Sequence, residues 1–516
     1  MSTVDSYHKT TIPLLHDATD SGGDAPILTP YRKNPNKNSS LYQEIMREIL
    51  ALSRISIPTI ATGLLIYIRN LVSMVFLGHL GHIALAAGSL STGVANITGY
   101  SIIFGMAMGM ETICGQAYGA GKWNLLGLTL HRTIAILLLT SLPISLLWLN
   151  VDKILVKLGQ DIDIINLAKI YLLYSLPDLI AQSIVHPLRI YLRSQNVTRP
   201  VAICSCIASL LHIPLNYYLV IVLNTGIKGV AAAVVITNFI LVLILVCYIY
   251  VRGLCSKTRI KLSLECFKEW ESIFSLAVPS CISICLEWWW YELLIILCGL
   301  LKSPEITISA IGILIQMTAL VYVFPSSLGY GVSIRVANEL GAGRPEKAKR
   351  AAIMGTLSGF LLGLFAVTFN ISARRWWGPM FTDNAGVLEL VSSALPIVGL
   401  CELGNCPQTV MCGVLRGSAR AEISARLNLV GFYGVGLPVA LWFGFWMGFG
   451  FVGLWVGLLA AQLWCVLGLG VVVLRTDWAL QAKRAEELTS LGEVCGEDGD
   501  ESKGENEGRV IVLVDP

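Results

Sequence analysis

The sequence predicts an all-α polytopic membrane protein: twelve transmembrane helices in two six-helix lobes related by a parallel internal repeat. Composition, the spacing of apolar runs and a self-similarity of the two halves carry this prediction. Of 516 residues, 55% are hydrophobic and 14% charged, whereas an average soluble domain is about 25% charged. Apolar stretches near 50–77, 83–108, 124–149, 165–189, 201–223, 228–251, 271–299, 306–331, 351–371, 387–413, 427–447 and 452–474 approach or exceed the ~20 residues that cross a bilayer as a helix. Helices are the expected form because they satisfy their own backbone polar groups where water is absent.

The repeat is read from turn motifs. GMETICGQAYGAGK ends on Gly119-Ala120-Gly121-Lys122, and GVSIRVANELGAGR ends on Gly341-Ala342-Gly343-Arg344, a shift of 222 positions. GIKGVAAAVVITN from Gly226 and GFVGLWVGLLAAQ from Gly450 keep nearly the same shift. Six spans is an even number, so both halves enter from one side and the pseudo-axis lies along the membrane normal, with a substrate site expected between the halves. The domain map is a cytosolic tail at 1–47, mostly disordered; a first lobe at 48–252; a cytosolic linker at 253–270; a second lobe at 271–475; and a disordered acidic cytosolic tail at 476–516.

Charge placement sets the orientation. Lys122, Arg189, Arg193, Arg199, Arg252, Lys257, Arg259, Lys261, Arg335, Arg344, Arg350, Arg416, Arg420 and Arg426 are read as belonging to loops on one side, which the positive-inside rule makes cytosolic along with both termini. The polar first forty residues lack the features of a cleaved signal, so the first span serves as its own insertion signal. The net charge of +3 does not point to nucleic acid, and most of the fourteen cysteines fall inside predicted spans, which speaks against a secreted disulfide framework. GAGK and GAGR lack the phosphate-loop pattern, and no HExxH, nucleophile elbow or kinase signature occurs, so no enzyme, cofactor or metal is expected.

The chemistry is expected in the seventh predicted span, whose SICLEWWWYELLIIL carries Glu287 and Glu292. Glu287 stands roughly 12 Å beyond Pro279 along a helix axis, too deep for a short side chain to reach the interface. Intramembrane carboxylates are costly and mark substrate or proton paths, and a carboxyl confined to a low-dielectric cavity can exchange a proton near neutral pH. Five-residue spacing turns Glu292 about 140° from Glu287, while Tyr291 stacks on Glu287 and Trp288 on Glu292 at i, i+4. Trp288 and Tyr291 offer cation–π surface, although aromatic packing is an equally good account of any single ring. A third acid, Glu402, lies in the tenth predicted span, whereas Glu111 and Asp178 fall nearer predicted span ends. Any proton-linked site is therefore expected in the second half.

VFLGHLG (75–81), ETICGQAYGAG (111–121), LEWWWYE (286–292), RVANELGAG (335–343) and GVLRG (413–417) resemble the multidrug and toxic compound extrusion (MATE) family, in particular its plant DETOXIFICATION-type branch. The resemblance implies two rocking six-helix lobes and efflux driven by inward H⁺ or Na⁺. It assigns proton coupling to Glu287 and Glu292. The acid that many bacterial members carry on the first helix falls on Ser73, the usual acid of the tenth helix on Asn405 and an eighth-helix acid of some animal members on Gln316. Coupling is therefore expected to rest on Glu287, Glu292 and Glu402, with Trp288, Tyr291, Asn405, Gln408, Gln316 and Ser73 lining a substrate cavity. The expected function is H⁺ exchange for a small organic solute, by a monomer in the plasma membrane or in a vacuolar or endosomal membrane. A lipid-linked flippase and an uncoupled channel or sensor are the alternatives.

Overall fold

The computed structural model describes residues 41–157, 161–261 and 264–491. Twelve helices among them are long and apolar enough to span a membrane. The first six are α1 (Leu41–His79), α2 (His82–Ala120), α3 (Trp123–Leu149), α4 (Ile162–Ser194), α5 (Arg199–Val222) and α6 (Ile227–Val251). The second six are α7 (Trp270–Gly299), α8 (Pro304–Gly341), α9 (Pro345–Ala373), α10 (Ala385–Gly417), α11 (Ala421–Trp446) and α12 (Gly450–Leu474). Local sequence sets several ends: Asp161 and Asn384 accept hydrogen bonds from backbone N–H groups at the starts of α4 and α10, and Gly121 and Gly343 turn the chain with φ of 77° and 66°.

Each set of six helices has its own apolar core. One cluster runs from Leu77 in α1 through α6, and the other from Trp290 in α7 to the end of the chain's described part. Two helices cross between them in mirrored fashion. Leu52 of α1 packs into the second core, and Ile273, Leu276 and Ala277 of α7 pack into the first. Close approach there depends on glycine: a Cβ on Gly105 or Gly109 of α2 would run into the backbone of Cys281 or Ala277 in α7. Helix α2 is interrupted by a π-helical segment at Asn96–Tyr100, a geometry that shifts backbone carbonyls out of the regular ladder.

The structure corrects three expectations. Several helices outrun their predicted spans, so Arg189, Arg193, Arg335 and Arg416 lie inside α4, α8 and α10 and not in loops. Their charges are accommodated largely by buried acids, which hydropathy does not register. The tail expected to be disordered from 476 begins with a helix, α13 (Trp478–Leu491), which buries Trp478 and Ala485 in the second core and packs Leu488 against the first. Residues 41–47 likewise belong to α1 and not to a disordered tail. The expected disorder of 1–40 and 492–516 falls outside the described residues.

Candidate functional site

A cavity of about 250 Å³ opens between the lobes, lined by Asn96 and Ile97 of α2, by Glu287, Trp288, Trp289, Tyr291 and Glu292 of α7, and by Ile315, Thr318, Ala319 and Tyr322 of α8. The α2 wall is the π segment, and its Ile97 carbonyl accepts a hydrogen bond from Trp289 Nε1 at 3.2 Å. Irregular backbone at membrane depth is tolerated where it lines such a space. Glu287 is buried and faces the Tyr322 hydroxyl. Glu292 is half-buried and stands over Gly93, where a Cβ would come 3.6 Å from its Oε2.

Glu402 joins Glu287 from α10. The Glu287 carboxyl acts on Glu402 and both act on Tyr291, so the structure gathers these three groups, while Glu292 stands on a different face of α7. Asn405 Nδ2 donates to Glu402 Oε2 at 2.9 Å. Neither Glu287 nor Glu402 belongs to an ion pair among the described residues.

The remaining predicted cavity residues stand elsewhere. Asn405 is committed to Glu402, and Gln408 donates to Asn428 Oδ1 at 3.2 Å, inside the second lobe. Gln316 presents its backbone carbonyl to the Tyr67 hydroxyl at 3.2 Å. Ser73 hydrogen-bonds His212 Nε2 at 3.0 Å, inside the first lobe. The side chains of Asn405, Gln408 and Ser73 serve buried networks, and none of the four residues lines this cavity.

Two charge clusters escaped sequence reasoning. Glu111, fully buried in α2, is paired with Arg193 of α4, and its other oxygen accepts from Arg416 Nε of α10 at 2.9 Å. This closes the lobes together at the end that carries the two GAG turns. There Thr112 Oγ1 donates to the Arg416 carbonyl and Gln116 Nε2 to the Gly417 carbonyl. The second cluster is internal to the first lobe: Arg69 donates to Asn238 Oδ1 at 2.6 Å, and Asn238 Nδ2 donates to Asp178 Oδ1 at 2.6 Å. The signal that could have exposed the first was Glu111 just past one predicted span, with Arg193 and Arg416 just past two others; for the second it was Arg69 and Asp178, opposite charges inside the predicted spans 50–77 and 165–189.

A ladder of rings links cavity and ion cluster. Trp288 stacks on Phe104 with centroids 5.9 Å apart, Phe104 meets Tyr330 edge-on at 6.3 Å, and Arg193 and Arg416 lie 4.3 and 5.6 Å over Tyr330.

Comparison with known proteins places this geometry among transporters. The MatE family model matches residues 58–218 and 279–442. Protein DETOXIFICATION 49 of Arabidopsis thaliana is 53% identical over 487 residues, covering 93% of this chain and 96% of the relative. Protein DETOXIFICATION 48 of the same plant is 55% identical over 470 residues, covering 90% and 88%. The crystal structure of the eukaryotic MATE transporter AtDTX14 superposes with a TM-score of 0.84 at 31% identity, over 86% of this chain and all of that one.

Proposed function

Because the chain belongs to the MATE family of membrane transporters, we propose that it is a secondary active efflux transporter exchanging H⁺ for an organic solute by alternating access of its two lobes. The observation that carries the proposal is the pair Glu287 and Glu402, buried beside the interlobe cavity, neither of them in an ion pair with a basic side chain among the described residues. An unpaired carboxyl in low dielectric holds a proton or a cationic partner, and access from alternate sides turns that choice into exchange. Glu292, over Gly93 at the α2 wall, is assigned to attraction and orientation of the solute. Tyr322 and Asn405 hold the two carboxyls in place.

Loops rich in Lys and Arg are assigned to the cytosol, with both termini. The lobes are then joined by Glu111 and Arg416 at the cytosolic end, and the cavity is the outward-open state's remnant of the transport path. The lobes, 48–252 and 271–475, move as two bodies within one monomer.

Purified protein in proteoliposomes tests this. An imposed pH gradient should drive accumulation of a fluorescent organic substrate, and collapse of the gradient by a protonophore should abolish it. Glu287→Gln keeps size and hydrogen bonding but removes the titrating group, so it should insert normally and lose gradient-driven flux at least tenfold. Gradient-driven flux at the wild-type rate in this variant would refute the assignment.

A further inference from the structure

His186, Arg189 and Arg193 follow one another at three- and four-residue spacing and so share a face of α4. Two contacts show where that face points. The His186 ring lies edge-on to Phe104 at 5.1 Å, and Phe104 stacks on Trp288 of the opposite lobe. Two turns further on, Arg193 lies over Tyr330 of α8. Arg189 lies between them in register, on that same face of α4.

The other guanidiniums of this region are accounted for. Arg193 is paired with Glu111, and Arg69 is hydrogen-bonded to Asn238, which leads to Asp178. Arg189 is different. Its Nε is buried without a hydrogen-bond acceptor, no ion pair among the described residues includes it, and the charged side chains acting on it are Arg69 and Arg193, both cations. The side chain nevertheless keeps part of its surface open. A permanent cation held among cations at membrane depth is costly until an anion joins it. A guanidinium fork matches the planar, two-oxygen edge of an oxyanion.

We propose that Arg189, flanked by His186, is an anion-binding subsite for the transported solute, which is accordingly an aromatic molecule bearing a carboxylate or similar oxyanion, its ring lying against Phe104 and Trp288. The inference rests on the transporter reading and deepens it. The oxyanion is held by the first-lobe wall while Glu287 and Glu402 occupy the second, so a solute that also carries a cationic group meets both walls at once.

The test uses two probes with the same ring and opposite charge, 1-naphthoate and 1-naphthylmethylammonium, binding to the full chain in phosphatidylcholine nanodiscs and read by tryptophan quenching. Wild-type protein should bind naphthoate, and Arg189→Gln should weaken it about tenfold or more, the size expected for losing a charge-assisted hydrogen bond. Naphthylmethylammonium should bind the variant unchanged or more tightly, and Arg189→Lys, which keeps the charge without the fork, should recover part of the naphthoate affinity. A purely structural role would weaken both probes together and would overturn the proposal. So would an unaltered naphthoate affinity in Arg189→Gln, or no naphthoate binding by the wild type. If Arg189→Gln yields no monodisperse protein, Arg189→Lys decides: a selective fall for naphthoate supports the subsite, and equal affinity overturns it. Repeating the titration with phosphatidylglycerol in the nanodiscs identifies the source of the anion. Naphthoate affinity unchanged by that lipid supports a free solute, whereas its displacement assigns the subsite to a lipid headgroup and overturns the solute assignment. Binding is read at equilibrium without a pH gradient, so failure of proton coupling would leave these outcomes unmoved.

Discussion

Glu402 shows how a residue's role depends on its immediate donor. Asn405, three positions on, gives its amide to the Glu402 carboxylate at 2.9 Å, so the acid of α10 at this site is Glu402, one helical turn from the position the family resemblance marks. Replacing Glu402 by Gln should reduce gradient-driven flux in proteoliposomes severalfold while leaving insertion intact; flux equal to wild type would reduce Glu402 to a packing residue. Asn405→Leu should also lower flux, because it strips the carboxyl of its donor without touching Glu287. Glu287, Glu292 and Glu402 were legible in the sequence because they stand mid-span, whereas the only other charges in their predicted spans, Glu271 and Glu389, lie at the span edges. Glu111 was not, since hydropathy places it near a span end, and only the fold brings it to Arg193 and Arg416 from two other helices. Outside the spans, burial pushes the Cys255 thiol up to about 11. Little of it is thiolate at pH 7, so its alkylation should be slow there and accelerate as pH rises toward that value; fast labelling at neutral pH would contradict its half-buried placement.

At the scale of the helix, the apolar pattern located all twelve spans but misjudged where several stop. Hydropathy ends a span at its first charges, whereas a buried partner lets the helix continue; α4 runs on through Arg193 and α10 through Arg416. The same reasoning explains α13. Its polar composition matched a disordered tail, yet Trp478, Gln481, Ala485 and Thr489 repeat at three- and four-residue intervals and are all buried. Lys122 Nζ, at the end of the first lobe's GAG turn, donates to the Thr489 carbonyl at 3.1 Å, so α13 touches both lobes. Truncation after Leu491 should leave the melting temperature of the solubilised protein unchanged. Truncation after Asp477 removes the buried tryptophan and should cost about 3 kcal/mol or more, seen as a drop of several degrees. Equal stability of the two truncations would mean that α13 contributes nothing to the packed state.

At the scale of the molecule, the two GAG turns that revealed the repeat also close one end of it. A Cβ on Gly119 would run into the Asn338 carbonyl, and one on Gly341 into the Gln116 carbonyl, so each lobe offers its first glycine to the other's backbone. The sequence displayed these glycines as a symmetry but not as a contact, because contact across lobes is set by tertiary packing, which no local pattern records. Beside them Glu111 holds Arg193 and Arg416, and removing one member of such a buried set costs about 3–5 kcal/mol. Part of that cost falls on the closed state alone, because Arg416 comes from the opposite lobe; opening this end should therefore become easier in Glu111→Gln. Single cysteines at Ala342 and Asp383, in a background freed of the native thiols, should define the sides. An impermeant maleimide should reach Ala342→Cys only in inside-out vesicles and Asp383→Cys only in right-side-out ones, and the reverse pattern would invert the topology. Gln116→Cys, enclosed between the lobes at that same end, should stay unlabelled from either side while Glu111 is present. With Glu111→Gln it should become reactive in inside-out vesicles, at a rate at least tenfold higher, while Asp383→Cys keeps its wild-type rate. A Gln116→Cys that remains silent in that background would mean that the glycine contacts alone hold this end shut.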